Sequence, residues 1–336
     1  MFKVSIIIPT YQRCSSVQRA LAALNAQSFP ADEFEVIVSI DGSNDGTREM
    51  VSSFEANYKL RAIWNKNSGR ASACNRGIQE TYGELLIILD DDMEPDPGFV
   101  EAHYAAHRAG DRLSVIGAAP IIIGESAPAV VRYIGTKFNT HLEKISEPGY
   151  TIRIWDFYSG NFSIRRANLM KAGLFSEDFV DYGNEDVELA WRLQNLGIDI
   201  TYSPEAKCIQ HYEKDFGGLA LDTIASGRTS VLLSIKHPDT FDELKLAEFH
   251  STGWKWRTLR LALIWFAIYI PGTVSAIISL IKLFDKLNLR GQEKAYFLAL
   301  DYFYWLGVWS ALRESDNGTV LAAKIKSPDN SRCPTR

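Results

Sequence analysis

Short apolar runs alternate with helix-period segments along the N-terminal part of the chain. Residues 4–8, 35–40, 60–64 and 84–90 read as strands, and residues 17–26, 45–55 and 70–81 carry apolar positions at helical spacing between them. Strands and helices in alternation imply a parallel sheet with right-handed crossovers. The run Leu85-Leu86-Ile87-Ile88-Leu89 is apolar at every position, the pattern of a strand covered on both faces. Each strand then hands a polar turn to the same sheet edge: Thr10-Tyr11, Asp41-Gly42-Ser43, residues 65–70 and Asp90-Asp91-Asp92. Ligands of open α/β sheets bind in the crevice that such loops form.

Two later patterns matter. From Asn184, the residues Val187, Leu189, Ala190, Leu193 and Leu196 repeat at helical spacing and Gly197 supplies a stop, so Glu185 and Asp186 fall in a first turn. His211 follows a strand-like stretch, residues 207–210. Towards the C-terminus, residues 261–281 hold no charge over 21 positions, enough to cross roughly 30 Å of hydrocarbon as a helix. Pro271-Gly272 interrupts this segment, and basic and aromatic residues flank it: Trp254, Lys255, Trp256, Arg257 and Arg260 before, Lys282, Lys286 and Arg290 after. Basic flanks on both sides suit a re-entrant hairpin, or a helix pair lying in the interface, better than a single span. Residues 295–312, rich in Tyr, Phe and Trp with one acid at Asp301, read as a further interfacial helix. Ordinary packed helices are the alternative for both segments.

Composition narrows the class. With 336 residues and 46% hydrophobic content the chain can bury a full core. A formal net charge of -5 argues against a broad nucleic-acid surface, so nucleic acid is not an expected partner. Cys14, Cys74, Cys208 and Cys333 have neither metal-ligand spacing nor a disulfide pattern, as expected in a reducing compartment. Met1-Phe2-Lys3 runs straight into the first strand, and no secretory signal is read there.

The candidate chemistry centres on Asp90, Asp91 and Asp92. Adjacent carboxylates repel, so their clustering at a strand end fits a divalent cation, Mn²⁺ or Mg²⁺, held between them and a phosphate. A solvated acidic turn is the plain alternative. Asp41 offers an acceptor for a base imide, Tyr11 an aromatic platform and Arg70 a cation. An ordinary turn leading into a capped helix also accounts for Asp41 to Thr47. Asp186 can serve as a general base, or with Glu185 can simply cap its helix. His211 is either a metal ligand or a structural histidine. No P-loop or GxGxxG pattern occurs, which excludes the usual ATPase and dinucleotide sites.

Five segments in order carry a resemblance: Val4-Ser5-Ile6-Ile7-Ile8-Pro9-Thr10-Tyr11, Asp41-Gly42-Ser43-Asn44-Asp45-Gly46-Thr47, Leu89-Asp90-Asp91-Asp92, Gly160-Asn161-Phe162-Ser163 and Asn184-Glu185-Asp186-Val187-Glu188-Leu189. Together, over about residues 3–215, they resemble glycosyltransferase family 2 of the bacterial-like, non-processive kind. The resemblance implies a GT-A type α/β fold, a parallel-core mixed sheet flanked by helices, and inverting transfer from a nucleotide sugar, most often a UDP sugar. It implies that Pro9, Thr10, Tyr11 and Asp41 hold base and ribose and that Asp90 and Asp92 bracket a DxD motif, which sets Asp90 and Asp91 in the donor site beside the cation Arg70 read above. Asp92 is then the direct metal contact and Asp186 the catalytic base. Gly160, Asn161 and Glu185 fall on the acceptor side. The chain departs from the family pattern at Ile40, where relatives often have a first Asp, and at Cys74, where Arg is usual. Arg70 or Arg76 is then the candidate replacement cation. The Gln-x-x-Arg-Trp signature of processive synthases is absent, which favours one sugar per encounter.

The expected organisation is a GT-A domain over 1–236, with a donor half (1–118) and an acceptor half (119–236). A helical membrane-associated region (237–318) and a flexible tail (319–336) follow. The expected partners are a nucleotide-sugar donor, a glycan or lipid-linked acceptor and membrane lipids, with oligomerisation left open and the chain placed on the cytoplasmic side of the cell membrane. A non-catalytic nucleotide-sugar-binding or scaffold protein of the same fold is the alternative function.

Overall fold

The computed structural model describes residues 2–287, 290–315 and 318–327. The chain divides into two compact units. One comprises Met1–Ser126, Ile134–Val180 and Glu185–Tyr212; the other comprises Ala127–Tyr133, Asp181–Asn184 and Glu213–Arg336.

The first unit begins as the hydrophobic rhythm predicts, with β1 (Val4–Thr10), α1 (Cys14–Leu24), β2 (Phe34–Asp41), α2 (Thr47–Ser53), β3 (Lys59–Asn65), α3 (Arg70–Gln79) and β4 (Leu85–Leu89). It continues with β5 (Met93–Pro95), α4 (Phe99–Ala106), β6 (Leu113–Gly117), α5 (Ala129–Ile145, of which residues 129–133 belong to the other unit), β7 (Asn161–Arg165), α6 (Arg166–Ala172), α7 (Glu185–Asn195), β8 (Asp199–Ser203) and β9 (Cys208–Gln210). Seven strands form one mixed sheet in the order β3-β2-β1-β4-β7-β6-β8. The pairs β1–β2, β1–β4, β2–β3 and β6–β8 are parallel; β7 runs antiparallel to both β4 and β6.

Side-chain alternation divides the core between the sheet's two faces. Val4, Ile6 and Ile8 join Leu85, Ile87 and Leu89 in one layer with Val17, Leu21 and Leu24 of α1. Ile7, Leu86 and Ile88 join Phe162 and Ile164 in the other, with Ile78 of α3 and Leu189 and Leu193 of α7. A Cβ at Gly77 would lie 2.5 Å from Ile7 Cγ2, so the small residue is what lets α3 sit flat on β1. A separate antiparallel ribbon, β5–β9, pairs Met93 with Gln210 and so sets His211 beside Asp92.

The second unit is helical: α8 (Phe216–Lys236), α9 (Trp254–Tyr269), α10 (Thr273–Lys286), α11 (Gln292–Glu314) and α12 (Gly318–Lys326). Its centre is the crossing of α8 and α11. A Cβ at Gly307 would stand 1.9 Å from the Ile224 carbonyl oxygen, and one at Gly227 would stand 2.1 Å from that of Tyr304. Glycine at both positions lets the two backbones touch.

Three expectations change here. By packing, α8 groups with the C-terminal helices and not with residues 1–212, so the boundary falls after Tyr212 instead of at 236. The segment read as an interfacial helix at 295–312 is the buried axis of the helical unit, with Tyr302, Phe303, Trp305 and Val308 all enclosed. Asp301 is enclosed too, and accepts from Arg260 Nη1 (2.6 Å) and Trp256 Nε1 (2.8 Å) and pairs with Lys245 Nζ (3.1 Å). The expected flexible tail starts as a helix, because Leu321 and Ile325, one turn apart, are both buried; residues 328–336, Cys333 among them, lie outside the described residues.

Pro271-Gly272 breaks the uncharged segment as expected, and Gly272 takes the left-handed backbone that caps α10. Among the described residues no helix is long and apolar enough to cross a membrane.

Candidate active site

The sheet edge formed by the carboxyl ends of β1, β2 and β4 receives a further loop from β7. Because β7 is antiparallel, it delivers its N-terminal end, residues 157–160, to the edge where its neighbour β4 delivers Asp90. The Asp90 N–H donates to the Gly160 carbonyl (2.8 Å), and a Cβ at Gly160 would press on Asp90 Oδ2 at 2.5 Å.

The three consecutive acids meet three different surroundings. Asp90 Oδ1 accepts from Arg70 Nε (3.1 Å) and Nη2 (2.6 Å). Asp91 Oδ2 accepts from the Thr10 hydroxyl (2.7 Å), and Arg13 approaches its other oxygen at 4.0 Å. Burial pushes the Asp91 carboxyl up to about 7, with Thr10 and Arg13 pulling the other way. Asp92 Oδ2 accepts from Gln210 Nε2 (3.2 Å), and its backbone carbonyl accepts from the His211 N–H (2.9 Å).

Arg70 reaches further than Asp90. Its Nη1 donates to Ser159 Oγ (2.9 Å) and lies 3.6 Å from Glu185 Oε1. One guanidinium therefore touches the end of β4, the loop before β7 and the start of α7. Burial works against its charge, but Asp90 leads the neighbours that hold its pKa well above the ordinary arginine value. Arg76, the other candidate cation, is exposed and bonds Asn65 (3.3 Å) on the far side of α3.

Asp186 follows Glu185 in the first turn of α7, and its Oδ1 accepts the Val187 N–H (2.8 Å). Burial first, and repulsion by Glu185 second, push it up to about 7, while Arg70 draws it down. A carboxyl poised there suits proton transfer near neutral pH.

Among the described residues no three of His, Cys, Asp and Glu converge as a ready-made metal cage. A hard divalent ion commonly takes only one or two protein ligands and completes its shell with substrate phosphate oxygens and water. Asp92 and His211 fit that description. His211 Nε2 lies 2.7 Å from Glu94 Oε2, and a carboxylate on one ring nitrogen is the arrangement that orients metal-binding histidines through the other.

Other sequence-predicted residues take different places. Pro9 is buried in β1, and Tyr11 is exposed at the edge, available as a platform. The Thr10 hydroxyl is engaged with Asp91. Asp41, expected to meet the base, uses its two oxygens to clasp the N–H groups of Ser68 (2.8 Å) and Gly69 (2.9 Å), which fixes the loop between β3 and α3. Asn161, expected on the acceptor side, is fully buried. Its Nδ2 donates to the Ala118 (3.0 Å) and Ala206 (2.8 Å) carbonyls, and its Oδ1 meets His103 Nε2 (2.7 Å). It is a structural hub because β7 is an interior strand. Gly160 serves as the space that Asp90 needs.

Glu94, Ser159, Gln210 and Arg13 were not among the predicted residues. Glu94 had a signal, since it is an acid only two positions after Asp92. The others are brought in by tertiary contact alone.

Residues 5–173 match the family described as Glycosyl transferase family 2, and residues 140–219 match a second, described as N-terminal domain of galactosyltransferase. A curated relative, validoxylamine A glucosyltransferase of Streptomyces hygroscopicus subsp. jinggangensis (strain 5008), is 31% identical over 232 residues, 60% of this chain and 54% of that protein. Chondroitin synthase of Escherichia coli is 26% identical over 235 residues, 58% of this chain and 32% of that protein. The chain thus spans about half or less of the length of these relatives. Among solved structures, the mannosyltransferase PcManGT of Pyrobaculum calidifontis, in complex with GDP-Man and Mn²⁺, aligns with TM-score 0.60 at 18% identity, covering 94% of this chain and 88% of that one. The sheet with its flanking helices is thus of the GT-A-like kind, and the chain belongs to glycosyl transferase family 2.

Proposed function

We propose that this glycosyltransferase moves one sugar, with inversion, from a nucleoside-diphosphate sugar to a hydroxyl of a glycan or lipid-linked acceptor in cell-surface polysaccharide synthesis. One observation carries the reading: the acids at the end of β4 and the acids at the start of α7 face one another across Arg70. The first group suits a diphosphate with its cation, and the second suits a reacting hydroxyl.

Asp92, with His211 oriented by Glu94, would hold Mn²⁺ or Mg²⁺, and the bound cation supplies charge neutralisation on the departing β-phosphate. The mannosyltransferase neighbour, described with GDP-Man and Mn²⁺, supports both a sugar-nucleotide donor and a divalent cation here. Asp186 takes the proton from the acceptor hydroxyl as that oxygen attacks the anomeric carbon from the side opposite the diphosphate. Inversion follows from that direction of attack. UDP sugars are the first donors to test.

We also place the protein on the cytoplasmic face of the cell membrane, held by α9 and α10. Trp265, Phe266, Tyr269 and Ile270 near their junction and Leu280 and Leu283 on α10 are exposed apolar side chains, with Lys255 and Lys282 at the two flanks.

The test is a panel of UDP and GDP sugars incubated with the purified full chain, with and without Mn²⁺, scored for released nucleoside diphosphate and for thermal shift. Metal-dependent release with one sugar is the expected result. A donor that stabilises the fold without any release over long incubation would overturn the catalytic reading in favour of a binding protein.

A further inference from the structure

Position 70 and position 74 are one helical turn apart on α3, so they share a face. Cys74 is buried, and burial pushes its thiol up to about 12, so it brings no charge to the crevice. The guanidinium of Arg70 stands over this face and ties together three elements that are not neighbours in sequence. Two of its nitrogens grip one oxygen of Asp90 at 3.1 and 2.6 Å, and the third bonds Ser159 Oγ at 2.9 Å and reaches Glu185 Oε1 at 3.6 Å. The Phe175 ring centroid lies 5.9 Å from the guanidinium carbon. A cation so engaged has its forked geometry turned toward protein acids, which is a different task from meeting a diphosphate.

We infer that Arg70 is a positioning residue: it pins the acidic first turn of α7 to the end of β4 and so sets where Asp186 stands. The inference rests on the reading of Asp186 as the base, and it concerns how that base is placed. Asp186 is faced by Glu185 on its own helix and by Arg70 from α3, and through Arg70 by Asp90 from the end of β4. Loss of the guanidinium leaves these acids facing one another and favours the protonated form of Asp186.

Three variants of the full chain test this: Arg70→Gln, Arg70→Lys and the double variant Arg70→Gln with Cys74→Arg. Two measurements are made on each. One is calorimetric binding of UDP with Mn²⁺; the other is a ¹³C-carboxyl NMR titration of aspartate-labelled protein, with the Asp186 signal identified by its loss in Asp186→Asn. In Arg70→Gln the Asp186 midpoint should rise while UDP affinity stays within about twofold, and the double variant should bring the midpoint back. Should Arg70→Gln not fold, Arg70→Lys carries the test, because one ammonium cannot span Asp90 and Glu185 together and the midpoint should still rise. An unmoved midpoint in the folded variants, or a tenfold loss of UDP affinity with no rescue from position 74, would overturn the inference in favour of a donor-binding cation. Neither readout needs turnover, so a failed donor screen counts against the proposed reaction and leaves this result separate.

Discussion

At the residue scale, each acid makes its own prediction. Asp92→Ala should keep the fold, because the side chain is at a strand end outside the core. Its UDP affinity in Mn²⁺ should drop at least about tenfold, measured by calorimetry against the parent. Glu94→Gln weakens the orientation of His211 and should lower Mn²⁺ affinity by roughly 10- to 100-fold; an unchanged affinity would remove His211 from the metal site. Asp186→Asn should bind donor normally and lose transfer by several orders of magnitude. In the parent, transfer should fall about tenfold per pH unit below about 7, since a base must be ionised and burial holds this one at about 7. Asp92 and Asp186 stand out in the sequence as candidates because acids after a strand end and at a helix start interrupt the apolar periodicity. The sequence could not decide between Arg70 and Arg76, because only the packing of α3 shows which one faces inward. Asp41 and Asn161 show a related limit: in sequence a polar residue in a turn or strand looks the same whether it meets a ligand, a buried backbone group or both.

At the scale of elements, α4 and β7 share a directed hydrogen-bond chain. Asn161 Nδ2 donates to two carbonyls, so its Oδ1 accepts from His103 Nε2. His103 Nδ1 then accepts from Ser163 Oγ (2.8 Å), which in turn receives His107 Nε2 (3.0 Å). Both rings are neutral; burial holds His103 down at about 3 and His107 at about 4. The unfolded chain therefore takes up protons below about pH 6.5 that the folded chain refuses, a loss of up to about 1.4 kcal/mol per pH unit for each histidine. Asp91 and Asp186 act oppositely, since their raised carboxyls bind protons in the folded state between about pH 4 and 7. The parent should thus show a nearly flat urea midpoint between pH 6.5 and 4.5 (about the window of these groups). Asp91→Asn combined with Asp186→Asn should lose stability steeply on acidification. A second prediction concerns α8 and α11: Gly307→Ala sets a methyl against the Ile224 carbonyl and should cost about 1–3 kcal/mol or prevent folding, read by urea unfolding. Strands and helices were legible to within about three residues at their ends, the largest shift being the start of α1 at Cys14. The character of α11 was not, because an aromatic, nearly uncharged helix has the same letters whether lipid or protein covers it.

At the scale of the molecule, the helical unit decides how the chain can be cut. A chain ending near Lys236 keeps α8 and removes α11, so the close glycine crossing loses one side and the truncated protein should aggregate; size-exclusion chromatography checks this. The full chain should sediment with vesicles containing anionic lipid at low salt and do so less at high salt, and no sedimentation at either would move α9 and α10 from membrane to a protein interface. Four of the chain's 36 lysines and arginines, and none of its 41 acids, lie between Trp254 and Phe284, so the remaining residues carry a formal charge of -9. Near a negatively charged surface the bulk of the protein is pushed away while this one segment is pulled in. On the proposed membrane placement the chain should meet such a surface with this segment first, drawn chiefly by Lys255 and Arg257, because Arg260 is enclosed with Asp301 and Lys282 pairs with Asp215 (2.7 Å).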